Sequence, residues 1–275
     1  MNPGTTFTAL TLTAVVLATA GAAAQSATDR RQTHKGQTEV EKTVEEMVET
    51  IQKDINTDGE LIGHNRRIRI DSIPAADDST RYNGLTDEDF RIVAEELNVE
   101  VAAIKAVVSI EAGSQMKGFW APGVPVINFD NTMYARFRKK KGEGQKDAEV
   151  PEGLSGYGLR EWRQLTNARK VNARAANLGT FWGMFQIGGF NYTKCGCKSV
   201  DEFVELMSYS ELEQLELFAA FITNAGMLGD LRNKNWAGFS RKYNGPSYAR
   251  RGYHTRMAAA YKRFSGGGKS SQKKP

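Results

Sequence analysis

The chain has 275 residues, 40% of them apolar and 25% charged, which excludes a wholly disordered chain, a collagen-like fibre and a polytopic membrane protein. Its two cysteines are too few for a disulfide-stapled scaffold or a four-cysteine zinc module. The net charge of +5 is unevenly spread: Leu231 to Pro275 holds twelve Lys and Arg and no acid, leaving residues 1–230 with 25 basic against 32 acidic residues, a formal −7. A basic end on an acidic body predicts an anionic polymer or surface as partner.

Residues 7–24, FTALTLTAVVLATAGAAA, carry no charge and end in small residues. The Ala22-Ala23-Ala24 pattern before Gln25 predicts a secretory signal peptide over 1–24. A membrane anchor is the competing reading, but the run is diluted by Thr, Ala and Gly and short for a span of about 20 residues. Residues 25–83 form an N-terminal helical and linker region with no assignable role. Within it Val40, Val44, Met47, Val48 and Ile51 predict an amphipathic helix over 39–55. Asp54-x-Asn56-x-Asp58-Gly59 resembles the start of a calcium loop, but the twelfth position is Asn65 where a bidentate Glu belongs, so a glycine-bearing turn is preferred. The loop-like stretch 71–83 marks a boundary.

Beyond it, Thr86-Asp87-Glu88-Asp89 is a capping box opening a helix to Leu97, and Val99–Ala112 is a second helix. Val124–Phe129 is the best strand candidate, and residues 138–141 (RKKK) with the polar residues after them read as an exposed loop. Ser199-x-x-Glu202 and Ser210-x-x-Glu213 cap two further helices; 235–243 and 253–264 are the last two, before a disordered basic tail over 266–275. Many helices and one short strand region describe a mainly α domain over 84–265.

The second helix carries the chemistry. Steps of three and four from Val101 reach Ile104, Val108 and Glu111, so a carboxylate ends an apolar stripe in the last turn of a core helix. Burial and the negative end of the helix dipole both disfavour its charged form and raise its pKa, as a general acid working near neutral pH requires. The competing reading is an ordinary Glu turned outward at a frayed helix end.

The blocks AIKAVVSIEAGSQMKGF, GVPVINFD, EWRQLTNA, FWGMFQIGGFNYTKCG and KNWAGFSRKYNGPSY, with a closing helix ending AAAYKRF, resemble in order the N-acetylmuramidase domain of phage endolysins and exported bacterial proteins. Shorter motifs are shared with goose-type lysozymes and lytic transglycosylases. The resemblance implies a lysozyme-like α+β domain with a small β-hairpin region beside the catalytic helix, and no cofactor or metal. It places the general acid on Glu111. The family's Phe-Glu-Arg-His segment falls on Phe129-Asp130-Asn131-Thr132, so Asp130 is the candidate second carboxylate, shorter by one methylene and with Thr132 in the histidine position. An inverting hydrolase places that carboxylate about 6.5–9.5 Å from the acid, leaving room for a water. Glu143, Asp147 and Glu149 are weaker alternatives in a mobile-looking loop.

Trp182-Gly183-Met184-Phe185-Gln186 resembles the Gly-Leu-Met-Gln motif of the lysozyme-like group, and Tyr243-Asn244-Gly245 its late Tyr-Asn motif. Gln186, Trp182, Asn191, Tyr243 and Asn244 are therefore the candidate sugar-binding residues: amides for hydroxyl and N-acetyl groups, ring faces for pyranoses. Phe185 and Trp236 read as core aromatics. Cys195 and Cys197 are too close in sequence for an easy disulfide and read as packed thiols, while His34, His64 and His254 are too scattered for zinc.

The resemblance implies a hydrolase that cuts the peptidoglycan glycan strand after N-acetylmuramic acid, and the leader ending at Ala24 predicts that it is exported and acts in the periplasm or outside the cell. Anionic wall polymers or the membrane face suit the basic end better than nucleic acid does. Two alternatives stand beside it: a lytic transglycosylase giving 1,6-anhydro products, and a peptidoglycan-binding protein weakened in catalysis by Asp130 and Thr132.

Overall fold

The structure is a computed structural model that describes residues 81–113 and 115–266. The expected signal peptide, the helix over 39–55, the turn over 54–65 and the basic tail beyond 266 lie outside the described residues.

Helix α1 (Asp87–Leu97) opens on the expected capping box: the Thr86 hydroxyl accepts from the Asp89 N–H, and the Asp89 carboxylate accepts from the Thr86 N–H at 2.7 Å. Such a cap contributes about 1 kcal/mol. Helix α2 (Val101–Glu111) buries Ala102, Ala103, Ile104, Ala106, Val107 and Val108. So many buried positions on eleven residues leave little solvent face, which explains its apolar composition. Gly113, at φ +81, lets the chain turn away from its end.

The expected strand over 124–129 is two strands in two sheets. β1 (Phe119–Ala121) and β2 (Val124–Pro125) form a bulged antiparallel hairpin. β3 (Ile127–Phe129) instead pairs antiparallel with β4 (Thr180–Trp182), which pairs with β5 (Ile187–Gly188). Val126 is the junction: its N–H donates to the Gly118 carbonyl on one side, and its carbonyl accepts from the Gly183 N–H on the other, both at 2.8 Å. Pro125 has no N–H with which to extend the first ladder.

Helix α3 (Asn131–Phe137) follows β3 directly. The long α4 (Gly156–Leu178) contains a true break at Asn172, with φ −156 and ψ 94. There the Asn172 side chain re-caps the chain, accepting from the Ala175 N–H and donating to the Lys140 carbonyl. The loop after α3 fills the break: Gln145 N–H donates to the Arg169 carbonyl, and Ala173 N–H to the Glu143 carbonyl, both at 2.9 Å. Residues 142–145, expected to be mobile, are therefore docked along α4 by the backbone groups the break sets free.

Helices α5 (Val200–Tyr209) and α6 (Glu211–Asn224) carry the expected serine caps, Ser199 accepting from Glu202 and Ser210 from Glu213. α6 runs through the core, burying Leu215, Leu217, Phe218, Ala219, Ala220, Phe221 and Ile222. The short α7 (Leu228–Arg232) ties back to α1 through two bonds from the Arg232 guanidinium to the Leu97 carbonyl. α8 (Trp236–Asn244) and α9 (Tyr253–Phe264) complete the domain, and α9 lies along α2 more extensively than any other pair of elements. The fold is mainly helical with small antiparallel sheets, consistent with a lysozyme-like α+β domain. Among the described residues no helix is long and apolar enough to cross a membrane.

Candidate functional site

Glu111 ends α2 half-buried, with α8 and α9 brought against it. Its Oε1 accepts a 2.9 Å hydrogen bond from Asn244 Nδ2 at the C-terminus of α8. Burial pushes its pKa up to about 7, while the Asn244 donor and the positive charge of Arg256 pull the other way. Desolvation of the charged form therefore dominates. Near neutral pH a substantial fraction of Glu111 is protonated, the state from which a carboxyl can donate to a leaving oxygen.

Asn244 is itself buried, and its Oδ1 has no hydrogen-bond partner. With the amide facing the carboxyl, the pair suits both charge states: the NH2 group donates to a carboxylate, and the amide oxygen can accept from a protonated one. Tyr243, the preceding residue, donates its hydroxyl to the Phe185 carbonyl at 2.6 Å and stacks on Phe239. It ties α8 to the turn between β4 and β5. The consecutive pair Tyr243-Asn244 thus links that turn to Glu111.

The first turn of α9 supplies two groups that the motif reading missed, Tyr253 and Arg256, one turn apart and on the same side of the helix. The Arg256 guanidinium lies over the Tyr253 ring, 5.6 Å from its centroid. Burial, then the neighbouring charge of Glu111, push the Tyr253 hydroxyl up to about 12, so it stays protonated. Their signal in the sequence was the helical spacing Tyr253, Arg256, Met257 on a helix that must face α2.

Asp130 is the N-cap of α3, and its Oδ1 accepts from the backbone N–H groups of Thr132 at 2.8 Å and Met133 at 3.0 Å. It is buried, and burial raises its pKa against the pull of those donors. A second buried carboxylate binds the preceding residue's backbone: Glu161 of α4 accepts from the Phe129 N–H at 2.9 Å, and burial likewise raises its pKa. Glu161 lies next to Trp162 in the buried stripe that continues to Leu165 and Ala168, the same signal that marked Glu111. Both carboxylates fix the backbone around Phe129.

The sugar-contact candidates divide. Trp182 has no exposed surface: its Nε1 donates to the Asn177 carbonyl, its ring meets Trp162 edge-on, and Arg169 lies over both rings. Such a ring has no face to offer a pyranose, and Trp182 is a core residue. Gln186 is a buried residue at φ +48 whose Nε2 donates to the Gly183 carbonyl, closing its own turn. Asn191 is half-buried at the end of a 3-10 turn (Gly189–Asn191). Phe185 stacks on Phe218 at 4.2 Å inside the core. Cys195 and Cys197 are buried thiols that form no disulfide.

One buried amide organises the walls. Gln214 of α6 accepts from the Met184 N–H at 2.8 Å and donates to the carbonyls of Gly118 and Met207. Glu211, one turn earlier, accepts from the Gly118 N–H at 2.7 Å. A Cβ at Gly118 would lie 2.4 Å from Gln214 Oε1, and one at Gly183 would lie 2.6 Å from it, so the amide fits only between two glycines. Among the described residues, no cluster of three or more His, Cys, Asp or Glu could hold a metal ion.

A family model described as Muramidase, N-acetylmuramidase, matches residues 100–265. The chain belongs to the N-acetylmuramidase family. The match spans the helix that ends in Glu111 and the helices that carry Asn244 and Arg256. A crystal structure of the Burkholderia AP3 phage endolysin is similar at 35% identity, over 70% of this chain and 73% of that one, with a TM-score of 0.54. No curated protein matches the chain. Membership of the N-acetylmuramidase family makes the domain a peptidoglycan-cleaving glycosidase in its general class.

Proposed function

We propose that this N-acetylmuramidase is an exported peptidoglycan hydrolase that cleaves the glycan strand after N-acetylmuramic acid, with Glu111 as general acid. The observation that carries the proposal is the Glu111 carboxyl at the end of an apolar helix, desolvated to a pKa of about 7 and oriented by Asn244. Protonated Glu111 donates its proton to the glycosidic oxygen as the C1–O bond breaks, the positive charge develops on the anomeric carbon, and water adds there, losing one proton to solvent, from which Glu111 is reprotonated for the next cycle. The departing alcohol carries the proton away, and the carboxylate left behind is held by the Asn244 N–H and the nearby charge of Arg256. Arg256 also opposes rises in pKa too large for the acid to recycle. Export rests on the apolar leader ending at Ala24.

The capping bonds of Asp130 favour keeping a second reading. A carboxylate that already accepts two backbone N–H groups is poorly placed to deprotonate water, whereas a lytic transglycosylase needs one acid and closes the muramyl 6-hydroxyl onto C1. Mass spectrometry of purified peptidoglycan, digested by the mature protein and by Glu111→Gln, separates the readings. Reducing-end muropeptides from wild type alone support the hydrolase; products lighter by one water assign a transglycosylase. Equal digestion by both proteins removes Glu111 from the acid's role.

A further inference from the structure

Four large hydrophobic side chains are exposed among the described residues: Trp120, Val171, Tyr209 and Phe264. Of the two exposed rings nearest the hairpin and α5, Tyr209 is covered by the Arg81 guanidinium at 4.0 Å. Trp120, on β1, is 45% exposed and is supported from beneath. A Cβ built on Gly158 would lie 3.2 Å from the Trp120 atoms Cδ2, Cε2 and Nε1 together. Equal approach to three atoms across the indole means the ring lies flat on the bare backbone of α4, with its opposite face turned outward. Tyr157 stands beside it, centroid at 6.4 Å and tilted by 58°, and the Arg160 guanidinium lies over the Tyr157 ring at 4.9 Å. The result is a flat apolar floor with a ring-and-guanidinium wall.

The floor is joined to the catalytic frame. Gly118, two residues before Trp120, is gripped at its N–H by Glu211 and at its carbonyl by Gln214. Gln214 also holds Met184, next to the Phe185 carbonyl that anchors Tyr243, whose neighbour Asn244 holds Glu111. A rigid exposed indole that keeps its place relative to the acid suits an occupant with a flat C–H face and polar edges. A pyranose ring has both, and the Arg160 side chain offers donors at its rim.

We infer that Trp120, seated on Gly158, is a stacking platform for an N-acetylhexosamine ring of the glycan strand, outside the residues that handle the scissile bond. The inference rests on the glycan-cleaving reading for the identity of the polymer, but its test does not need turnover. In Glu111→Gln, tetra-N-acetylchitotetraose should bind and shield one tryptophan from acrylamide quenching. Adding Trp120→Ala should abolish that shielding and weaken binding about five- to tenfold, as expected for losing roughly 50 Å² of apolar contact. Gly158→Ala, a change helices favour, should keep the fold yet lift the ring and weaken binding several-fold.

In the active enzyme Trp120→Ala should raise KM for soluble glycan fragments while kcat changes by less than about twofold. Unchanged affinity in Trp120→Ala, or full quencher access at saturating sugar, would overturn the platform. Failure of the hydrolase reading looks different: wild type would release no reducing ends from peptidoglycan while the shielding by chitotetraose persisted, which supports the platform on its own.

Discussion

Replacing Glu111 with Gln removes the proton donor, and the structure predicts that it also stabilises the protein in a pH-dependent way. The unfolded carboxyl titrates near 4.5 and the folded one near 7. Between those values the native state binds more protons than the unfolded chain, so wild-type stability falls as pH rises from 4.5 to 7. Above 7 the full penalty of the buried charge stands, about 3 kcal/mol at about 1.4 kcal/mol per pH unit. Below 4.5 the group is protonated in both states and contributes nothing. Gln carries no charge at any pH and can keep a hydrogen bond with Asn244. Thermal denaturation of the two proteins should therefore coincide near pH 4 and separate near pH 8, with Glu111→Gln melting about 6–10 °C higher for a domain of this size. The same variant should have lost activity throughout. A gap between the two melting temperatures that is the same at both pH values would refute the reasoning, because it would show that Glu111 is not desolvated.

Wild-type kcat should fall with an apparent pKa near 7 on the alkaline side, and Asn244→Ala should move that limb to higher pH, since the lost donor favours the carboxylate; a pH–rate profile checks both. At Asp130, Asn is as good an N-cap as Asp, so Asp130→Asn should leave stability within about 0.5 kcal/mol, whereas Asp130→Ala should cost about 1 kcal/mol in a denaturant titration. Activity retained in Asp130→Asn would confine the residue to capping, and activity lost with the fold intact would return it to catalysis. Gly118→Ala should cost about 1–3 kcal/mol by forcing a methyl group against Gln214, and Gln214→Ala in the same chain should recover part of that cost in the double-mutant cycle.

The elements that the sequence made legible are those whose signals are local. The Thr86, Ser199 and Ser210 caps, the closing helix from Tyr253 to Phe264, and the apolar stripe ending in Glu111 all lie within a few residues of their cause. The split of 124–129 into two sheets was hidden because both strands are apolar and the division is made by bonds from Val126 to Gly118 and Gly183, far apart in the chain. The loop that carries Glu143 looked mobile, yet it is held by the Arg169 carbonyl and the Ala173 N–H, which the break at Asn172 sets free. Trp182 shows the limit of motif reading most clearly. The block containing it is family-like, but whether an aromatic faces a groove or the core depends on Trp162, Arg169 and Asn177, which α4 supplies to strand β4. Trp120 was overlooked for the converse reason: nothing near it in sequence reveals that Gly158 leaves its ring a flat seat.

The amide of Gln214, wedged between Gly118 and Gly183, has a mechanical consequence. The β1–β2 hairpin and the β4–β5 turn share one fastener, so neither can swing without pulling the other, and together they act as a stiff jaw. The opposite side is fastened to the same frame. Tyr243 is tied by its hydroxyl to the β4–β5 turn and α9 lies along α2, so Asn244 and Arg256 keep their places around Glu111, and the acid stands tuned before any polymer arrives.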